Sequence, residues 1–266
     1  MIYIITHKVF DPYFEDKENY KILHVGQNNN FNNDYLKDDI GDNISNKNAN
    51  FCELTGLYWI WKNGKEKKDD ITGLVHYRRY FTTFFGDFLY TYFGRKPNVL
   101  SFDKIKNGLK HYDIILPVQE KIIRTVRQSY IDVHNEKDLL LVRESINEVS
   151  PDYIKAFDDV MNSHKYYYGN MMICHKQVLD NYSAWLFPVL FNLEKKIDIN
   201  KYSDSYQKRV YGFLSERLLQ VWVVHNGLLV KKYPVFNTEK RRINLFEKNH
   251  NRFNKFLCKL RKKDEE

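Results

Sequence analysis

The sequence lacks the motifs that mark several large enzyme classes. No GxGxxG follows the first strand-like run and no GxxxxGK[ST] loop occurs, which argues against Rossmann dehydrogenases and P-loop nucleotidases. The GxSxG elbow of α/β-hydrolases is also missing. No apolar run approaches the roughly 20 residues that span a bilayer. Because the N-terminal MIYIITHKVF begins directly on a strand, without a basic n-region, we predict a cytoplasmic protein.

Cysteine is scarce, and the net positive charge is small outside the C-terminal tail. The three cysteines (Cys52, Cys174, Cys258) have no CxxC spacing, which predicts reduced thiols and no zinc site. Of the formal charge of +8, residues 239–266 supply most, with ten Lys or Arg against five Asp or Glu. A dedicated nucleic-acid binder would carry a basic surface over its whole domain, so we expect no nucleic-acid partner.

The remaining pattern alternates strands with helices. Helical runs are predicted at 51–63, at 136–162 with Pro151 opening a second helix, at 177–196 with Pro188 kinking or splitting it, and at 205–227. A polar stretch at 27–50 is predicted to be a long loop. Strand-like runs are MIYIIT (1–6), YKILHVG (20–26), ITGLV (71–75), YDIILP (112–117), YYYGNMMICHK (166–176) and LLVKKYPVF (228–236). The alternation predicts an α/β architecture with a mainly parallel central sheet flanked by helices, over residues 1–238.

Five stretches, in this order, resemble one protein family. They are GDNISNKNANFCELTGLYWIWKN, ITGLVHYRRYF, YDIILP, YGNMMICHK and YQKRVYGFLSERLLQVWV. Together they resemble a family of bacterial capsule, exopolysaccharide and O-antigen glycosyltransferases that is named only as a domain of unknown function. The resemblance reaches to about Phe236 and implies a GT-A-like fold that uses a nucleotide-sugar donor. Some relatives are linked to galactofuranose transfer, so the resemblance implies a UDP-sugar, with galactofuranose or galactose as candidate sugars.

The third strand ends in His76, Tyr77, Arg78 and Arg79, at the sheet edge where ligands of α/β proteins bind. Most GT-A enzymes carry a metal-binding Asp-x-Asp there, which this chain lacks. Arginine offers a fixed charge and a bidentate fork for phosphate, so we predict diphosphate binding without a metal, Mg or Mn remaining the alternative. Strand alternation puts Arg78 on the face of His76 and Arg79 opposite, which slightly favours Arg78. In the alternative, one arginine is an ion-pair partner and the tyrosines belong to the core.

Glu216 is the candidate catalytic residue. By resemblance to the acidic motif, helix, turn and strand of inverting GT-A enzymes, it is the general base that deprotonates the acceptor hydroxyl. In the alternative, Glu216 is an ion-pair partner of Arg217 or Arg209. Arg209 either contacts a donor phosphate or only supports packing.

Other polar residues are weaker candidates. Glu53 and Thr55 are candidates for ribose or sugar hydroxyls, but the same composition suits any loop, and Thr55 in a helix interior equally fits a local hydrogen bond to the backbone. The donor candidates are Thr6, His7, Asp42, Asn43 and Asn48, and the acceptor candidates are His134, Tyr168 and Asn170.

The tail, residues 239–266, carries Phe253, Phe256, Leu257 and Leu260 at helical spacing among Lys and Arg. This pattern suits an anionic membrane surface, although the apolar face could instead pack on the body or on a second subunit in a homodimer. The combined expectation is an inverting transferase at the inner face of the plasma membrane, acting on a polyprenyl-diphosphate-linked glycan. The alternatives are a retaining enzyme and a non-catalytic nucleotide- or glycan-binding subunit.

Overall fold

The computed structural model describes residues 1–13, 16–27, 34–202 and 204–239. The predicted tail, apart from Glu239, lies outside these residues, as does Cys258. The described strands are β1 (Ile2–Thr6), β2 (Tyr20–His24), β3 (Leu36–Lys37), β4 (Ile71–His76), β5 (Arg79–Phe81), β6 (Ile114–Pro117), β7 (Glu120–Lys121), β8 (Lys165–Tyr166), β9 (Met172–His175), β10 (Val230–Tyr233) and β11 (Val235–Asn237). The described α-helices are α1 (Asn48–Phe51), α2 (Leu54–Asn63), α3 (Phe84–Phe93), α4 (Phe102–Gly108), α5 (Val126–Ile131), α6 (Glu136–Val149), α7 (Ile154–Asn162), α8 (Lys176–Glu194) and α9 (Val210–His225).

The central sheet confirms the predicted α/β class. Its main path runs β10-β6-β9-β4-β1-β2-β3, and β5 and β11 extend it from the end of β4. Strand β1 pairs in parallel with β2 and β4, as do β2 with β3 and β6 with β10. Only β9 runs against its two neighbours on that path, β4 and β6. The sheet is therefore mainly parallel.

Both faces of the sheet are covered by apolar packing. Strand β1 is buried along its whole length, and its residues alternate between the two core clusters: Tyr3 and Ile5 in one, Ile2 and Ile4 in the other. The first cluster receives the apolar faces of α2, α6, α7, α8 and α9. The close approach of β9 to β4 depends on Gly73, because a Cβ there would lie 2.3 Å from the carbonyl oxygen of Met172.

Three predicted elements differ in detail from the observed ones. Pro234 divides the last predicted strand into β10, which pairs with β6, and β11, which pairs with β5. The run 166–176 contributes only β9 to the central sheet, since the chain turns at Gly169, whose φ is +85°. Pro188 lies inside α8 without dividing it.

The polar stretch 27–50 is more ordered than predicted where the structure describes it. Residues 34–50 include β3, a 3₁₀ turn at Ser45–Lys47 and most of α1. The elements β5, α3, α4 and α5 were not predicted. Within the described part of the chain, no helix has both the length and the apolar character to cross a membrane.

Candidate active site

A cleft of about 330 Å³ opens at the carboxyl ends of β1 and β4. This is the edge where the sequence predicted a ligand, and the volume is that of a small-molecule site. Seven of the ten predicted donor residues line it: Thr6, His7, Asn48, His76, Tyr77, Arg78 and Arg209. The remaining lining residues are Ile5, Val25, Ala49, Cys52 and Glu53.

Asp42 and Asn43 are not among the residues that line the cleft. The Asp42 carboxylate accepts a hydrogen bond of 3.0 Å from the Tyr58 hydroxyl, and the Asn43 side chain accepts one of 3.2 Å from the backbone of Ser45. Both side chains thus stabilise the turn before α1.

The HYRR segment forms a hairpin rather than a continuing strand. Strand β4 ends at His76, Tyr77 and Arg78 form the turn, and Arg79 begins β5 as the direct partner of His76. Directly opposed residues in an antiparallel pair share a face. The prediction that Arg78 shares the face of His76 is therefore wrong, because it assumed uninterrupted alternation; Arg79 occupies that position.

The two arginines have different partners. Arg78 lines the cleft and donates a 2.9 Å hydrogen bond to the exposed carboxylate of Glu239. Arg79 lies over the ring of Tyr168, with Cζ 4.8 Å from the ring centroid, and its Nη1 is 3.5 Å from where a Cβ on Gly169 would stand. The predicted acceptor segment therefore borders Arg79. Tyr168 keeps 43% of its surface exposed.

Asn170 joins three walls of the site. Its buried side-chain amide donates to Glu53 Oε1 at 2.7 Å and to the backbone oxygen of Gly212 at 3.2 Å. Its own backbone oxygen lies 3.4 Å from Nε2 of His76. Burial lowers the pKa of His76; Glu53 opposes this shift and Arg79 adds to it. His76 is therefore a neutral imidazole at neutral pH.

Cys52 sets the position of Glu53. It lies between α1 and α2 with φ 53° and ψ −131°, the one non-glycine residue with positive φ in the described ranges. Such a conformation costs about 1–3 kcal/mol and is retained where the surroundings require it. Burial raises the pKa of its thiol to about 11, and the neutral sulfur accepts a 3.1 Å hydrogen bond from Nε of Arg209. Nothing in the sequence signals this backbone strain, which is why sequence reasoning ranks Glu53 only among the weaker candidates.

Glu216 lies on α9, and its side chain is only 14% exposed. Burial raises the pKa of its carboxyl to about 7; Arg217 opposes this shift most strongly and Glu53 adds to it. The charges of Arg79 and Arg209 also act on it, which places Glu216 beside the cleft although it does not line it. The predicted ion pair with Arg217 exists, at 3.1 Å. Glu216 is therefore both paired and able to exchange a proton near neutral pH.

Arg217 was not predicted to belong to the site. Its guanidinium is buried between two rings, with Cζ 5.3 Å from the centroids of both Tyr130 and Tyr166. Nη1 donates to Glu216 and to the backbone oxygen of Phe213 at 2.8 Å. This arrangement fixes the charge directly behind the Glu216 carboxylate.

His134 belongs to an aromatic layer that ends at Arg209. Its ring stacks on Phe213, with centroids 4.3 Å apart, and Nδ1 lies 2.9 Å from Oε1 of Gln207. Arg209 Cζ lies 5.5 Å from the Phe213 ring and 5.9 Å from that of Tyr206. Tyr206 is 53% exposed, so this layer offers a ring face to solvent beside the cleft.

Residues 1–227 match the model of the family described as "Domain of unknown function (DUF4422)". The chain belongs to this DUF4422 family. It also resembles a solved structure titled "WbbM bifunctional glycosyltransferase apo structure", with 28% identity and a TM-score of 0.74 over 91% of this chain. The chain spans 46% of the length of that protein, about half. A search of curated proteins found no match. The likeness confirms the GT-A-like fold that the sequence analysis expected.

The part of this DUF4422 chain that the structure describes has no metal-ligand set of the Asp-x-Asp kind. In the described ranges no three His, Cys, Asp or Glu residues are grouped so that they could hold a metal ion. Near the cleft, one carboxylate oxygen of Glu53 is engaged by Asn170 and one of Glu216 by Arg217. We therefore derive no step through a metal, and metal independence stays a prediction.

Proposed function

We propose that this chain transfers a sugar from a UDP-sugar to a lipid-linked oligosaccharide, with inversion and with Glu216 as the base. The proposal rests on the position of Glu216, a carboxyl that is only 14% exposed and lies 3.1 Å from Arg217 beside the arginine-lined cleft, where burial raises its pKa to about 7. A general base works best when its pKa is near the working pH. A carboxylate that served only as a surface ion-pair partner would have a pKa lowered by its partner.

The donor diphosphate is proposed to bind between the HYRR hairpin and Arg209. Arg78 and Arg209 line the cleft, and Arg79 is the direct strand partner of His76, which also lines it. Arginine binds phosphate oxygens with strong charge-assisted hydrogen bonds. The nucleoside is proposed to lie along Thr6, His7 and Asn48, which line the same cleft.

The proposed reaction is a single displacement. Glu216 takes the proton of the acceptor hydroxyl while the hydroxyl oxygen forms a bond to the anomeric carbon of the donor sugar. The bond from that carbon to the diphosphate oxygen breaks, and its electron pair leaves with the nucleotide. The arginines stabilise the charge that grows on the leaving diphosphate, an effect that is large where donors are already in position.

The acceptor is proposed to lie against Tyr168, Asn170 and His134. Tyr168 has an exposed ring, as sugar stacking requires, whereas Asn170 is 2% exposed and acts by holding Glu53. Galactofuranose or galactose as the sugar, a polyprenyl-diphosphate carrier, capsule or exopolysaccharide synthesis and membrane attachment through the tail complete the proposal.

Nucleotide release from UDP-, GDP- and dTDP-sugars, including UDP-galactofuranose, tests this function. It is measured with and without a synthetic lipid-linked acceptor and with and without a chelator. We expect acceptor-dependent release from one UDP-sugar that chelation does not change. If the chelator abolishes release, the proposed transferase activity stands but the prediction of metal independence is refuted. Tight nucleotide binding without release from any donor would support the binding-subunit alternative.

Glu216→Gln separates catalysis from binding in the same assay. The amide keeps the shape of the carboxyl but accepts no proton, so turnover should fall by about 100-fold or more while donor affinity stays within a few-fold. Glu120→Gln, at an exposed position on β7, is the matched control and should leave turnover unchanged. Full activity of Glu216→Gln would exclude Glu216 as the base.

A further inference from the structure

Helix α3 exposes a cluster of large aromatic side chains to solvent. None of its ten residues is buried. Phe84, Phe85 and Phe93 are 62%, 69% and 64% exposed, and Phe88 and Tyr92 are 46% and 44% exposed. Contiguous apolar patches of this kind mark surfaces that bind a partner or a membrane.

The exposure does not come from a helix with unsatisfied ends. The Thr83 side chain caps the N-terminus by accepting a 3.0 Å hydrogen bond from the backbone of Gly86. Gly94, at φ 64°, closes the C-terminus. Tyr90 attaches the helix to the body through a 3.3 Å hydrogen bond to the backbone oxygen of Asn237. The helix is thus capped at both ends and presents its rings outward.

Positive charge borders the aromatic face. A groove of about 400 Å³ between α3 and the following segment is lined by Phe85, Leu89 and Pro97 together with the cations Arg95, Lys96 and Lys104. Between residues 84 and 110 there are five Lys or Arg and only two Asp or Glu. None of the three groove cations has an ion-pair partner among the described residues. An apolar centre with a cationic rim complements an anionic bilayer, where rings insert at headgroup level and Lys and Arg meet phosphates.

We infer that α3 and the groove beside it form a docking surface for an anionic phospholipid membrane. The position in the fold agrees. The described chain ends beside α3, at Asn237 to Glu239, and the next 27 residues carry ten Lys or Arg. Strand β5 connects α3 directly to Arg79 at the cleft. The inference does not depend on glycosyl transfer, because membrane binding is measured without donor or acceptor.

Vesicle co-sedimentation of the full chain tests the inference. Wild type should bind phosphatidylglycerol-containing vesicles more tightly than pure phosphatidylcholine vesicles. Phe84→Ser combined with Phe85→Ser should weaken binding by at least about tenfold, since each buried phenylalanine side chain contributes about a factor of ten. Ile123→Ser combined with Leu140→Ser removes two other exposed apolar side chains and should change nothing.

A second variant tests the cationic rim. Arg95→Glu with Lys96→Glu should remove most of the preference for anionic vesicles, whereas the Ile123 and Leu140 control should keep it. Unchanged vesicle binding by the phenylalanine variant would overturn the inference and assign membrane binding to the tail. No vesicle binding by wild type would also overturn it. Sedimentation velocity could also overturn it: if wild type is a dimer and only the phenylalanine variant is a monomer, α3 is an interface between copies of the chain.

Discussion

Replacing Arg217 by methionine should shift the pH dependence of transfer toward alkaline pH. Arg217 is the cation that hydrogen-bonds Glu216, and its charge opposes the rise in the pKa of that carboxyl. Methionine is long, flexible and apolar, and can remain between the rings of Tyr130 and Tyr166. The substitution therefore removes the charge while leaving the space filled.

The size of the shift follows from the surroundings of Glu216. An adjacent opposite charge lowers a carboxyl pKa by roughly 1–3 units. Because Arg79 and Arg209 remain, we expect the pKa that defines the acid limb of the pH–activity profile to rise from about 7 to roughly 8–9. At neutral pH the deprotonated fraction then falls roughly five- to fiftyfold. At alkaline pH the variant should come within about twofold of wild type.

The assay is kcat/KM for acceptor-dependent nucleotide release, measured from acidic to alkaline pH. Arg143→Met is the matched control, since it breaks an exposed ion pair with Asp158 at 2.8 Å and should leave the limb in place. Thermal melts verify that both variants fold. A folded Arg217→Met enzyme whose acid limb coincides with that of wild type would refute the coupling between Arg217 and the base.

Three further predictions follow from the same geometry. Arg79→Gln should weaken UDP binding by calorimetry about ten- to hundredfold, because charged hydrogen bonds contribute about 1.5–3 kcal/mol; equal affinity would place the diphosphate elsewhere. Gly169→Ala should destabilise the fold by about 1 kcal/mol or more, since φ there is +85°, whereas Gly108→Ala in α4 should stabilise it. A melting temperature of Gly169→Ala at or above that of Gly108→Ala would contradict this. The pKa of Glu216 is higher in the native state, at about 7, than the ordinary value of 4.5 that applies to the unfolded chain. The contribution of this group to the free energy of unfolding therefore falls as the pH rises from the lower to the higher of these two values. Glu216→Gln should remove this fall, which the shift of the pKa from 4.5 to about 7 limits to roughly 3–4 kcal/mol, and a pH–stability curve parallel to that of wild type would contradict it.

The regular parts of the fold could be predicted because their apolar periods are unambiguous. The buried β1 falls where the pattern placed it, and α9 ends at His225, directly before the predicted stop at Asn226 and Gly227. Short elements could not be predicted, because β5 and α5 have too few residues to show a period. Helix α3 is a different case: residues 84, 85, 88, 89, 92 and 93 give it one apolar face at helical spacing, but this face is largely exposed and does not pack on the core.

The site was predictable where it depends on residue type and not where it depends on backbone geometry. Arginines after a central strand indicate anion binding, and the cleft does contain Arg78. The turn that places Arg79 opposite His76 has no Gly, Asn or Asp to signal it, so the alternation argument chose the wrong face. Glu53 depends on the positive φ of Cys52, which sequence does not reveal.

The arginines around the cleft divide into two groups by their partners. Arg217 is buried against a buried carboxylate, so its charge is committed to Glu216. Arg79 lies on a tyrosine ring and Arg209 on a neutral thiol, and neither contact cancels a charge. The pair between Arg78 and Glu239 is largely exposed, and such pairs contribute little and exchange readily for a better anion. Arg79 and Arg209 thus keep positive charge that suits the proposed diphosphate, and Arg78 can add its own by exchanging Glu239 for phosphate. Arg217 holds the proposed proton acceptor in place beside them.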